Sequence, residues 1–252
     1  MRKSHNMSSP KTVLILATLD TKGEEAFFLK KEIQRRGVRT LTMDVGVRGE
    51  PYFEAEISRE EVAQAASRTI EALLALQDEA KAMGEMAHGA ERVAGKLYVE
   101  RRIDGAIALG GTIGTGLALR VFRVFPVGFP KVLVSTVAIS PYVSAQRVGM
   151  DVVMVQATSD FWGLNWLVRM DLERAAATIA SAVEGEKPEQ GTPLIAITTL
   201  GGSWLSYVPR LKKELRSKGY EVAVFHSVSM QGAIMERLIR QGLIKGLSLI
   251  HI

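Results

Sequence analysis

The sequence predicts an α/β protein built from open parallel sheets flanked by helices. Three observations carry that prediction. Short apolar runs of strand length alternate with longer runs whose apolar residues recur at helical spacing. Runs such as "TVLILATL" are continuous and apolar, as strands buried on both faces of a parallel sheet are. The alternation then restarts after "EKPEQGTP" (186–193), a charged stretch bearing Pro and Gly that reads as a linker between domains.

The elements follow in order. "TVLILATL" (12–19) is a buried strand, "TKGEEAFFLKKEIQRRG" (21–37) a helix stopped by Gly37, and "VRTLTMDVG" (38–46) a second strand. "SREEVAQAASRTIEALLALQDEAKAM" (58–83) reads as one helix, opened by a Ser58/Glu61 capping box, and a second helix follows over 85–102. "IDGAIALGG" (103–111) is a strand, 114–125 a helix, and 131–136 and 151–158 are two further strands. A long helix over 162–185 closes at Gly185. Past the linker come a strand at 194–201, a helix at 203–219, a strand at 220–227 and a helix at 232–242.

The resulting division is a flexible tail over 1–10, a first α/β domain over 11–186, and part of a second over 187–246. Both are Rossmann-like open parallel-sheet domains, the second truncated. The last six residues, "LSLIHI" (247–252), match one translation of a transposase end sequence used in DNA library preparation. They are read as a non-native, adapter-derived tail, the alternative being a short terminal strand.

Composition narrows the function classes. With 47% hydrophobic and 23% charged residues, the 252-residue chain is of ordinary globular type. It has no cysteine, which excludes disulfides, thiolate metal sites and a cysteine nucleophile. The net charge of +5 is spread over helix surfaces with no basic run interleaved with aromatics, so no nucleic-acid partner is expected. No apolar run approaches the roughly 18–20 residues of a membrane span. The basic start lacks a small-residue cleavage site, and a cytoplasmic location is expected.

Ligands of parallel α/β sheets gather at the carboxyl ends of strands. Four polar loops of the first domain fall there. In "ATLDTKGEE" (17–25), Thr18, Asp20, Thr21 and Lys22 precede a helix whose N-terminus can hold an anion; alternatively Asp20 or Thr21 is an N-cap. In "ALGGTIGTGLA" (108–118), Gly110, Gly111, Thr112, Gly114 and Thr115 stand between a strand and a helix. That context suits phosphate, although the loop is neither a Walker A sequence nor the G-x-G-x-x-G fingerprint. The alternative is a turn for close helix–strand packing. Ser135 and Thr136 end the next strand, with Tyr142 beyond them. Asp160, in "QATSDFWGLN" (156–165), orients a ligand or cation, or else Ser159 or Asp160 caps the long helix with Phe161 and Trp162 packed at its start. The second domain repeats the pattern in "TTLGGSW" (198–204). His226, at a strand end, is the one histidine placed for a site, and no general base emerges.

These loops together resemble a known family. "LATLDTKGEE", "MDVGV", "ISREEVA", "ALGGTIGTGLA", "PKVLVSTVA" and "ATSDFWGLN" occur in the order found in the Tm-one-like ATP-binding domain family, and 219–246 resembles its second domain. That family takes in the N-terminal domain of the tomato mosaic virus resistance protein and bacterial relatives of uncertain role. The resemblance implies two α/β domains holding ATP near a cleft, Mg²⁺ entering with the nucleotide, a homodimer, and a TIM-barrel partner present as a separate protein. The family's usual Gly-Asp pair is missing from "AISPYV", and the second domain stops about halfway. Whether ATP is hydrolysed stays open. So do two other readings: an enzyme acting on a phosphorylated or sugar-nucleotide substrate, and a nucleotide-regulated interaction module.

Overall fold

The computed structural model of the chain describes residues 10–141, 143, 151–185, 192–200, 206–226 and 230–248. Residues 1–9 of the expected tail, Tyr142, the linker core, Gly201–Trp204 of the second glycine loop and 249–252 lie outside them. The chain divides into two compact units, 1–185 and 186–252.

The first unit is a five-stranded sheet with all pairings parallel. Its strands are β1 (Thr12–Ala17), β2 (Arg39–Asp44), β3 (Gly105–Gly110), β4 (Lys131–Ser135) and β5 (Val153–Gln156), in the order β2-β1-β3-β4-β5. Side chains of a strand alternate between faces, and here the two faces build two separate cores. Leu14, Leu16, Ala106, Ala108 and Leu133 pack under α2 (Arg59–Ala65), α3 (Ile70–Leu74), α4 (Glu79–Val99) and α5 (Thr112–Phe122), with Phe122 and Phe125 fully buried among them. Val13, Ile15, Ile107, Val132 and Val134 pack under α1 (Gly23–Arg35) and α6 (Trp166–Glu184), against Leu29, Ile33, Val168 and Leu172.

One predicted helix is broken. The stretch 58–83 forms α2, α3 and the start of α4. The breaks occur where the backbone turns left-handed, at Ser67 (φ 60°) and Gln77 (φ 49°). A new cap follows each break: Thr69 Oγ1 accepts from the Ala72 N–H, and Asp78 Oδ1 from the Lys81 N–H. The Asp78 carboxyl is held below its ordinary pKa chiefly by that Lys81 backbone N–H. The predicted Ser58/Glu61 capping box is present in full.

The second unit holds β6 (Leu194–Thr199), α7 (Val208–Ser217), β7 (Glu221–His226), α8 (Met230–Arg240) and β8 (Ile244–Ser248). Its strands pair in parallel in the order β7-β6-β8 around Ala196, Phe225, Met235 and Ile244. β8 takes in Leu247 and Ser248, the first residues of the segment expected to be non-native. No helix among the described residues is long and apolar enough to cross a membrane.

Candidate functional site

The order β2-β1-β3-β4-β5 fixes where a ligand can enter. From β1 the chain moves outward to β2, then returns to place β3 on the other side of β1. Connections from β1 and β3 therefore leave in opposite directions, and a crevice opens between them at the carboxyl edge. The loops that fill this crevice are 18–22 and 110–114. They bound one cavity of about 300 Å³. Thr18, Asp20, Thr21 and Lys22 line one side, and Gly110, Gly111, Thr112, Ile113 and Gly114 the other. Val47, Arg48, Glu79 and Met83 complete the wall.

Each loop is held from beneath. Thr18 C=O accepts from the Thr21 and Lys22 N–H groups at 3.2 and 2.8 Å, and the Thr18 and Thr21 hydroxyls bond each other at 2.8 Å. Asp20 caps no helix. Its Oδ2 accepts from the backbone N–H groups of Arg48 and Gly49 at 2.9 and 3.3 Å, so it fixes the loop that carries Arg48. A Cβ on Gly46 would lie within 2.7–2.9 Å of that carboxylate, which is why glycine stands there. Deeper down, Asp44 at the end of β2 accepts from the Leu19 and Gly46 N–H groups and from Arg59 Nε. Arg59 also donates to Gly49 C=O. This buried pair ties three segments into one platform.

Lys22 is the backbone N-cap of α1 and caps it with no side-chain bond. Its ammonium donates to Phe161 C=O and lies 5.1 Å over the Trp162 ring. Phe161 is buried, whereas Trp162 is 86% exposed, so only the first of the two packs as expected. The long helix is capped by Asn165, whose Oδ1 accepts from Leu167 and Val168, and not by Ser159 or Asp160. Asp160 Oδ1 accepts from its neighbour's N–H, that of Phe161, and does not line the cavity.

The glycine loop divides its work. Gly110 is a packing glycine: a Cβ there would stand 3.0 Å from Gly114 Cα. Gly111 is the N-cap of α5, makes no side-chain cap, and would meet only Thr136 Oγ1, at 3.7 Å. The first N–H groups of α5 have no intrahelical acceptor and face the cavity end of the helix. Thr115 and Ser135 are buried beneath, hydroxyl to hydroxyl at 2.7 Å, and Ser135 Oγ also accepts from Val137 N–H. They join the loops after β3 and β4 and do not line the cavity. Thr136 N–H donates to Gly110 C=O at 3.3 Å, tightening the same junction. In the second unit, His226 ends β7 with its backbone N–H on Gln231 Oε1.

Arg48 and Glu79 are the charged cavity residues that the sequence did not point to. Arg48 Nη2 and Glu79 Oε2 lie 2.9 Å apart, both largely exposed. An arginine between glycines just past a strand is a usable signal for the first. Glu79 and Met83 leave none, because no glycine or proline marks the helix break at Gln77 before them.

Two family models match the chain: the N-terminal domain of an uncharacterised protein family, UPF0261, over residues 11–188, and its C-terminal domain over 192–248. The chain belongs to the UPF0261 family. A UPF0261 protein of Brucella suis is 38% identical over 235 residues, covering 93% of this chain and 56% of the relative. One of Clostridium tetani is 39% identical over 246 residues, covering 94% and 58%. The UPF0261 chain thus spans a little over half the length of these curated relatives. The tomato ToMV susceptible protein tm-1(GCR26) is 32% identical over 173 residues, 66% of this chain and 23% of that protein, in keeping with the Tm-one-like resemblance. Among solved structures, MurG of Acinetobacter baumannii is similar at 18% identity with a TM-score of 0.33, covering 96% of this chain and 68% of that one, a likeness too distant to bear on function.

Proposed function

We propose that this UPF0261 chain binds ATP, with the phosphates at the uncapped N-terminus of α5 and the loop 18–22 beside it. The observation that carries the reading is the meeting of these two loops in one cavity at the point where the sheet's connections diverge. Three features support it. A helix N-terminus offers free N–H groups and a partial positive charge to an anion. Gly111 leaves the approach to those groups open. Lys22 and Arg48 supply cations at the rim. Among the described residues no cluster of His, Asp or Glu could hold a metal by itself, so Mg²⁺ would enter carried by the phosphates. A homodimer and a separate TIM-barrel partner remain part of this proposal.

Thermal unfolding with and without millimolar Mg-ATP tests it, beside a Gly111→Asp, Thr112→Asp variant. A ligand at a hundredfold excess over its Kd adds about 2.7 kcal/mol of stability, read as a higher melting point. The expected result is a shift in the parent chain that the variant loses. A parent chain that melts unchanged at saturating Mg-ATP would refute the reading.

A further inference from the structure

The cleft at the glycine loop continues into a second cavity of about 490 Å³ between α4 and α5. Met83, Thr112 and Ile113 line both, so the two cavities are adjoining lobes that share these walls. Their chemistry differs. The first lobe carries hydroxyls, backbone N–H groups and charges, whereas the second is walled mainly by aliphatic side chains and two glycines, with Arg120 and Arg123 as its charged residues. A Cβ on Gly84 or Gly116 would meet no atom within 4 Å. Neither glycine serves close packing, and each keeps open a space that a longer side chain would fill. Arg120 spans the helices, donating to Gly84 C=O at 3.3 Å and pairing with Glu91 at 2.9 Å, which holds the groove at fixed width.

We infer that this α4–α5 groove holds the base and ribose of the nucleotide whose phosphates lie at the glycine loop. The inference rests on the phosphate reading above and extends it to the ring. The polar lobe alone sits at the bottom of the range for small-molecule sites, roughly 300–1,000 Å³, and a mostly apolar wall with few polar groups is what such sites present. Phosphates leaving the α5 N-terminus place the next group against Ile113 and Met83, at the mouth of the groove. Met83 has the adaptable thioether suited to a flat ring. Trp162 is the competing platform, but it lines neither lobe and its face already carries the Lys22 ammonium.

Calorimetric titration of the full chain with ATP and with inorganic tripolyphosphate separates the two ends of the ligand. The parent chain is expected to bind ATP at least about tenfold more tightly than tripolyphosphate. Gly116→Leu and Gly84→Leu fill the groove from opposite helices. Each should erase that difference while leaving tripolyphosphate affinity within about twofold, which also certifies the fold. Ala80→Trp does the same from an exposed position on the groove wall, replacing no buried residue. Gly95→Leu, on α4 away from the groove, should change neither ligand. The inference is overturned if the filled variants keep the preference for ATP, or if Trp162→Ala alone removes it. Equal affinity of the parent chain for both ligands overturns the groove and leaves the phosphate site standing. Binding of neither overturns both.

Discussion

At the scale of single residues, the cavity is built from carboxylates that do different jobs according to burial. Asp20 and Asp44 are committed to backbone N–H groups and Arg59, whereas Glu79 meets Arg48 at the surface. An exposed pair of that kind is worth about 0–1 kcal/mol, so a phosphate can take the guanidinium from it. Arg48→Gln should therefore weaken tripolyphosphate or ATP binding by about three- to tenfold. Glu79→Gln, which frees Arg48 and removes a repelling charge, should tighten it by about two- to threefold. Calorimetry on the two variants reads the opposite signs directly. Glu56, which does not line the cavity, gives a different test. Burial pushes its pKa up, but the Lys30 hydrogen bond, the Thr42 N–H and the Lys30 charge together outweigh that and leave it lowered. A carboxyl with a lowered folded pKa stabilises the fold above its unfolded pKa and loses that contribution as pH falls through the folded value. Glu56→Gln should cost about 1 kcal/mol or less near neutrality, and urea titrations should show the gap closing below the ordinary glutamate range.

At the scale of elements, what the sequence could reveal depended on the kind of signal each element leaves. The strands were legible because β1 and β3 are buried along their whole length, and apart from Thr12 they carry only aliphatic residues and glycine there. The Ser58/Glu61 box was legible because two side chains at fixed spacing define it. Ser58→Ala should lower stability by about 1 kcal/mol, measured by denaturant unfolding. The breaks at Ser67 and Gln77 were not legible. Helical periodicity records which face is apolar and is silent on a single residue that turns left-handed, and neither position is a glycine. The glycine loop was legible as a strand-to-helix loop at the sheet's carboxyl edge and ambiguous as to purpose. Gly110 answers to packing and Gly111 to open space, a distinction that needs the position of Gly114 and Thr136.

At the scale of the whole molecule, parallel strands place every strand-to-helix loop at one edge, so the sequence locates the loops collectively. It does not say which loops are neighbours. That follows from β3 docking on the far side of β1, a choice made by packing of the helices on two faces and not by any residue in the loops themselves. Thr115, Ser135 and Asp160 have the same strand-end signal as Thr18 and Gly111, yet lie beneath or beside the cavity. The two units also differ in core. The first buries both faces of its sheet, while the second gathers its main cluster around Ala196, Phe225, Met235 and Ile244. Amide hydrogen exchange should find the β1 and β3 amides slowest and those of β6 and β7 distinctly faster.

The Asp44–Arg59 pair has a consequence for how this protein responds to its solvent. Its side chains are 3% and 8% exposed, out of reach of dissolved ions. Surface charges are screened over a distance of about 10 Å at 0.1 M salt, but buried pairs far less. On the phosphate-binding proposal, raising ionic strength should then strip the phosphate from Lys22 and Arg48 while the platform beneath keeps its shape. Affinity and architecture are uncoupled with respect to salt: a ligand lost at high ionic strength returns on dilution, to a site that was never dismantled.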